Sequence, residues 1–120
     1  MRVYKLFLDD ERMPVDCLTF IRNVDLVDKY KTNIEWTIVR NYDEFCTCVL
    51  FNGLPELVSF DHDIQDGDGD AERTGLHCVK WLIDYCIDNK VDFPNYVIHS
   101  QNNVGPDNMD SWIKNFIKTR

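Results

Sequence analysis

Three short polar clusters hold most of the reactive side chains in this sequence: Asp9-Asp10, Asp61-His62-Asp63 and His99-Ser100-Gln101-Asn102. Each directly follows an apolar run. Carboxylates gathered in one place repel one another, so Asp9, Asp10, Asp61 and Asp63 together imply shared protons or a cation between them. Oxygen donors of this kind suit Mg2+ or Mn2+, which keep water positions open to a phosphate. Asp9, Asp10 and Asp61 are therefore the candidate metal ligands. Two histidines beside carboxylates suit acid–base work on an ester oxygen. That makes Asp61, His62, Asp63 and His99 the candidate catalytic set. Ser100 and Asn102 offer a hydroxyl and an amide to phosphate oxygens. Adjacent residues on a strand point to opposite faces, so His99 is poorly placed to activate Ser100 as a nucleophile. Arg12 and Arg40 complete the candidate phosphate-binding group, since a guanidinium clamps a phosphate through two bonds. Pairing with the surplus aspartates is the alternative use for both.

Other features carry less. Asp66-Gly67-Asp68-Gly69-Asp70 looks like a calcium loop until it is counted out. From Asp66, the position that needs Gly holds Ala71, and the one that needs Glu holds His77. The segment reads as a solvated acidic loop. His77 falls inside a helical pattern and reads as structural. No P-loop, GxGxxG or HExxH motif occurs.

The elements that would bring the three clusters together follow from hydrophobic patterning. Residues 3–8 form an apolar run that ends on acid, the profile of a buried strand whose carboxyl end reaches solvent. Met13-Pro14 breaks regular structure. Residues 15–32 are ambiguous; Leu18, Ile21, Leu26, Val27 and Tyr30 would cover a sheet as one irregular helix or two short ones. Residues 34–40 are β-branched and aromatic, hence a strand. Asn41 fits an N-cap, with Glu44 in capping-box position. The helix it starts places Tyr42, Phe45, Cys46 and Val49 on one face and ends at Asn52-Gly53. Residues 57–60 are a third strand, 64–73 a loop, and Thr74-Gly75 opens a helix with Val79, Leu82, Ile83, Cys86 and Ile87 on one side. Residues 96–99 are a fourth strand. A last helix carries Met109, Trp112, Ile113, Phe116 and Ile117.

Alternation of this kind predicts one α/β domain over residues 1–120, a three-layer α/β/α arrangement with a small parallel sheet. Ligands of such sheets bind outside the carboxyl ends of the strands. All three polar clusters fall at that edge.

Composition sets outer bounds. There are 21 acidic against 13 basic residues, a net charge of -8. That surface repels a phosphate backbone, which argues against duplex DNA; a nucleotide or RNA end could still bind beside a metal or a few arginines. The five cysteines, with no CxxC pair, read as free thiols in a reducing cytosol. No stretch approaches ~18 apolar residues, and the short apolar start meets acid too early for a signal peptide. The expectation is a cytoplasmic protein without a membrane span.

Four segments, LFLDDERMP (6–14), VSFDHDI (58–64), TGLHCVKWLIDYC (74–86) and VIHSQNNVG (97–105), resemble the cyclic-phosphate-processing receiver-like proteins. Their pattern has a FLDDxRxP start, an SFDHDL third strand, a TG-led helix and an HSxNPxG end. The likeness spans most of the chain apart from 15–32. This sequence departs from it at Asn103, where proline is usual, and in the acidic loop at 66–70. The resemblance implies a receiver-like, flavodoxin-like fold. It implies a centre built from Asp9, Asp10, Asp61, His62, Asp63, His99, Ser100 and Asn102, and action on cyclic phosphates such as 2',3'-cyclic RNA ends.

Three functions compete. The first is a metal-dependent phosphoesterase acting on a cyclic phosphate. The second is a non-catalytic domain that sequesters a nucleotide or a partner. The third is a phospho-acceptor receiver using Asp61, although the lysine such receivers place after a late strand is replaced by His99-Ser100.

Overall fold

The computed structural model describes residues 3–19, 30–31, 34–67, 72–99 and 104–119. Among these, four parallel strands lie in the order β2-β1-β3-β4. They are β1 (Lys5–Leu8), β2 (Thr37–Val39), β3 (Leu57–Phe60) and β4 (Asn95–Ile98). Helices α1 (Tyr42–Asn52), α2 (Gly75–Asn89) and α3 (Val104–Lys118) follow β2, β3 and β4. The expected receiver-like α/β arrangement is therefore present. Right-handed crossovers explain the layering. The chain leaves β1 toward β2 in one direction and reaches β3 and β4 in the other, so the first connection covers the opposite face from α1 and α2.

The helix-side core joins Leu6, Leu8, Val58 and Phe60 of the sheet to Phe45 and Val49 of α1. Val79, Leu82, Ile83 and Cys86 of α2 and Met109, Ile113 and Phe116 of α3 complete it. Burying each large apolar side chain contributes about 1.5–3 kcal/mol. On the other face, Phe7 and Leu57 meet Cys17, Tyr30 and Trp36. Tyr30 and Trp36 stack with centroids 5.6 Å apart. A 3-10 helix, Pro14–Thr19, supplies part of this cover. Pro14 thus opens a helical turn where the sequence suggested only a break, because a first-turn proline lacks an N–H that the turn leaves unpaired anyway. Of the ambiguous segment, Ile21, Leu26 and Val27 lie outside the described residues.

Several boundaries differ from the sequence expectation for local reasons. The strand expected over 34–40 shortens to Thr37–Val39. Ile34 donates its amide to the Lys31 carbonyl in a turn (3.0 Å), and pairing with β1 begins only at Leu6↔Thr37. On α3, Trp112 and Ile117 remain 48% and 51% exposed, so the buried stripe is narrower than the apolar pattern. Ile87 of α2 is likewise exposed. These positions flank the stripe, and the Trp112 ring is partly covered by Lys80 of α2, whose Nζ lies 4.6 Å from its centroid.

The caps position both helix starts. The Asn41 side chain accepts from the Glu44 amide at 2.9 Å, while the Glu44 carboxylate reaches back to Arg40 N, one residue before the cap. Thr74 caps α2, and His77 Nδ1 accepts from Thr74 N at 2.9 Å, giving that histidine the structural role expected of it. The acidic loop is anchored at its base rather than fully solvated. Asp66 Oδ2 accepts from Tyr42 N at 3.0 Å and so serves the first turn of α1. The Asp66 carbonyl also accepts from the Arg73 amide at 2.7 Å, and the Arg73 guanidinium lies 4.5 Å from the Tyr42 ring centroid and 3.1 Å from Asp43.

Candidate metal centre

Strand register builds the site. Leu8 pairs with both Val39 and Phe60, and Phe60 pairs with Ile98, so the last paired residues form one row. The ladder continues one step: Asp9 N to Val39 O at 3.2 Å, Asp61 N to Leu8 O at 3.0 Å, His99 N to Phe60 O at 2.9 Å. The next row across the sheet is therefore Arg40, Asp9, Asp61 and His99. It lies at the carboxyl edge, and Asp9 and Asp61 flank the point where chain order reverses, the usual ligand crevice of such sheets.

Asp9, Asp61 and His99 each present one potential ligand atom, all within 4.8 Å of one another. They are 0%, 3% and 1% exposed. Burial alone would raise the Asp9 carboxyl. A hydrogen bond from His99 Nε2 (3.0 Å) and two from the amides of Arg12 (2.8 Å) and Glu11 (3.0 Å) overcome it and hold the group at about 2. Asp61 goes the other way. Burial and then the charge of Asp9 push it up to about 7. Burial lowers the His99 pKa, against the hydrogen bond and charge of Asp9, which raise it.

His99 belongs to a buried chain that the sequence did not reveal. Its Nδ1 lies 2.6 Å from Ser59 Oγ, and Ser59 Oγ lies 2.6 Å from Tyr30 Oη. Phe7 stacks on the imidazole with centroids 4.6 Å apart and planes 7° apart. The only sequence signal for Ser59 was a hydroxyl inside an otherwise apolar strand.

The remaining candidates stand at graded distances from this centre. Asp10 is half-buried, its carboxyl raised by burial and by Asp9. The Arg12 guanidinium is 3.6 Å from Asp9 Oδ2. Arg40 directs Nη1 to the carbonyls of Asp9 (3.0 Å) and Arg12 (2.6 Å), bracing the loop after β1. His62 Nδ1 pairs with Asp63 Oδ1 at 2.7 Å, outside the buried trio. Ser100 and Asn102 lie outside the described residues.

Gly75 fixes where Asp61 sits. Its amide donates to the His62 carbonyl at 2.7 Å. A Cβ there would run into the Asp61 carbonyl oxygen, so only glycine allows α2 to begin this close to β3.

The donor set fits a hard divalent cation. Two buried carboxylates adjoin, and burial, then the charge of Asp9, raises Asp61 to about 7, a crowding that a cation would relieve. Asp9 and Asp61, with Asp10 beside them, would hold the ion.

A parallel sheet with paired acids after its first strand and an aspartate after its third defines a receiver-like domain. This chain belongs to the cyclic-phosphate processing receiver domain family, whose sequence profile matches residues 4–115. No curated protein matches it. Among solved structures, a fusion carrying the trimeric coiled coil of yeast Spc42 is similar at 10% identity and TM-score 0.44. That match covers 99% of this chain and 80% of the other, a likeness too distant to carry an argument. Among the described residues, no helix is long and apolar enough to cross a membrane.

Proposed function

We propose that the protein is a metal-dependent phosphoesterase acting on a cyclic phosphate, either a 2',3'-cyclic RNA end or a cyclic nucleotide. The observation that carries this reading is the buried Asp9–Asp61–His99 group, within 4.8 Å, at the ligand edge of a member of this family. Asp9, Asp10 and Asp61 hold Mg2+ or Mn2+. When bound, such a cation supplies charge neutralisation at the phosphate. Arg12, beside Asp9, adds a second positive group, with Ser100 and Asn102 as further phosphate contacts, while Arg40, its guanidinium held by the carbonyls of Asp9 and Arg12, braces the loop that carries them. His62, half-buried and oriented by Asp63, hands its proton to the leaving oxygen. Water adds across one P–O bond of the ring and leaves a monoester.

The substrate in this reading is a small phosphate ester or an RNA terminus, since a net charge of -8 opposes duplex binding. The five cysteines are free, three of them buried, in keeping with a reducing cytoplasm.

The test is turnover of a 2',3'-cyclic nucleotide with and without Mg2+ or Mn2+. Metal-dependent appearance of a monoester, lost in Asp61→Asn, is expected. Tight nucleotide binding without turnover would replace the enzyme with a sequestering domain. A stable phosphoryl mass increase after acetyl phosphate, absent in Asp61→Asn, would replace it with a phospho-acceptor.

A further inference from the structure

The hydrogen bonds around His99 have a direction. The Tyr30 hydroxyl is buried and bonds to Ser59 Oγ, so it is Tyr30 that donates. Ser59 then turns its own proton to His99 Nδ1, which accepts. An imidazole with a bare Nδ1 carries its proton on Nε2, the nitrogen that faces Asp9 Oδ2. The chain thus runs one way, from Tyr30 through Ser59 and His99 to Asp9. Reversal would leave the Tyr30 hydroxyl needing another acceptor. Tyr30 is 0% exposed, and Ser59 is its one hydroxyl partner among the described residues. Phe7 stacks on the imidazole, planes 7° apart, and so opposes rotation of the ring.

We propose that Tyr30 and Ser59 are positioning residues that lock His99 as a donor to Asp9, so that His99 orients a metal-holding carboxylate instead of binding the ion or carrying protons. This rests on the metal-binding reading above. Asp9 Oδ1 is already occupied by two amides, and His99 fixes Oδ2, which also lies 3.6 Å from the Arg12 guanidinium, so the carboxylate is held in one orientation beside Asp61. Histidine and carboxylate partners behind a metal ligand are a recurrent means of fixing its orientation.

The test is 15N NMR of imidazole-labelled protein, with Mg2+ affinity measured alongside. The expected pattern is a protonated Nε2 and a bare Nδ1 in the free protein, unchanged when Mg2+ is added. Ser59→Ala, which removes the donor to Nδ1, should mix the tautomers and weaken Mg2+ binding by about 10–100-fold. Tyr30→Phe should have a smaller effect, since Ser59 still donates. A protonated Nδ1 in the free protein would overturn the proposal. So would loss of the Nε2 proton on Mg2+ addition, or a Ser59→Ala variant with unchanged tautomer and affinity. Should the wild type bind no cation yet show the assigned tautomer, the hydrogen-bond lock on His99 stands, while its role behind a metal ligand and the metal-dependent phosphoesterase reading both fall.

Discussion

Asp9 and Asp61 are neighbours that titrate in opposite directions, and each leaves a mark on stability. Asp61 is raised from 3.8 to about 7. Between those values the native carboxyl is protonated while the unfolded one is ionised, so its contribution to stability declines as pH rises through that window. Asp9, lowered to about 2, stabilises above 3.8 and loses that contribution as pH falls below it. Each pKa unit is worth about 1.4 kcal/mol. Asp61→Asn should therefore raise Tm above neutral pH and flatten its slope between 3.8 and about 7. A lower Tm above neutral pH would mean that Asp61 is not crowded. Both aspartates were legible in the sequence, because an apolar run that stops abruptly on acid marks the carboxyl edge of a buried strand. Tyr30 and Ser59 were not. One sits in a segment of mixed pattern, and the other is a small residue whose value depends on a ring contributed from the end of β4.

At the level of elements, the start of α2 governs the end of β3. Gly75→Ala would press a methyl group into the Asp61 carbonyl and should cost about 1–3 kcal/mol. It should also weaken Mg2+ binding, because the strand end must shift. Thr74→Ala removes only the cap, costs about 1 kcal/mol, and should leave metal affinity intact. Denaturant unfolding paired with metal titration separates the two; equal loss of affinity in both would remove the special role of Gly75. The caps at Asn41 and Thr74 were readable because cap chemistry is local. The partners of Arg40 and Asp66 were not, since each binds a backbone group whose position depends on the assembled fold. The short β2 was overestimated because β-branched residues mark a half-buried surface as well as a paired strand.

For the whole molecule, a cation bound to the native state alone shifts unfolding by mass action. At a hundred times Kd the gain is about 2.7 kcal/mol. Mg2+ or Mn2+ should therefore raise the Tm of the wild type more than NaCl at matched ionic strength does. The net charge of -8 makes that salt control necessary. An equal response in Asp61→Asn would assign the effect to general screening. The row of Arg40, Asp9, Asp61 and His99 has a further consequence. All four come from the rung directly beyond the last paired one, so a slip of a single residue in any strand would turn its reactive side chain to the opposite face. A misaligned sheet could stay collapsed, but it would lack the pocket. Metal affinity should therefore act as an assay for correct strand alignment, separating properly assembled molecules from those that are merely compact.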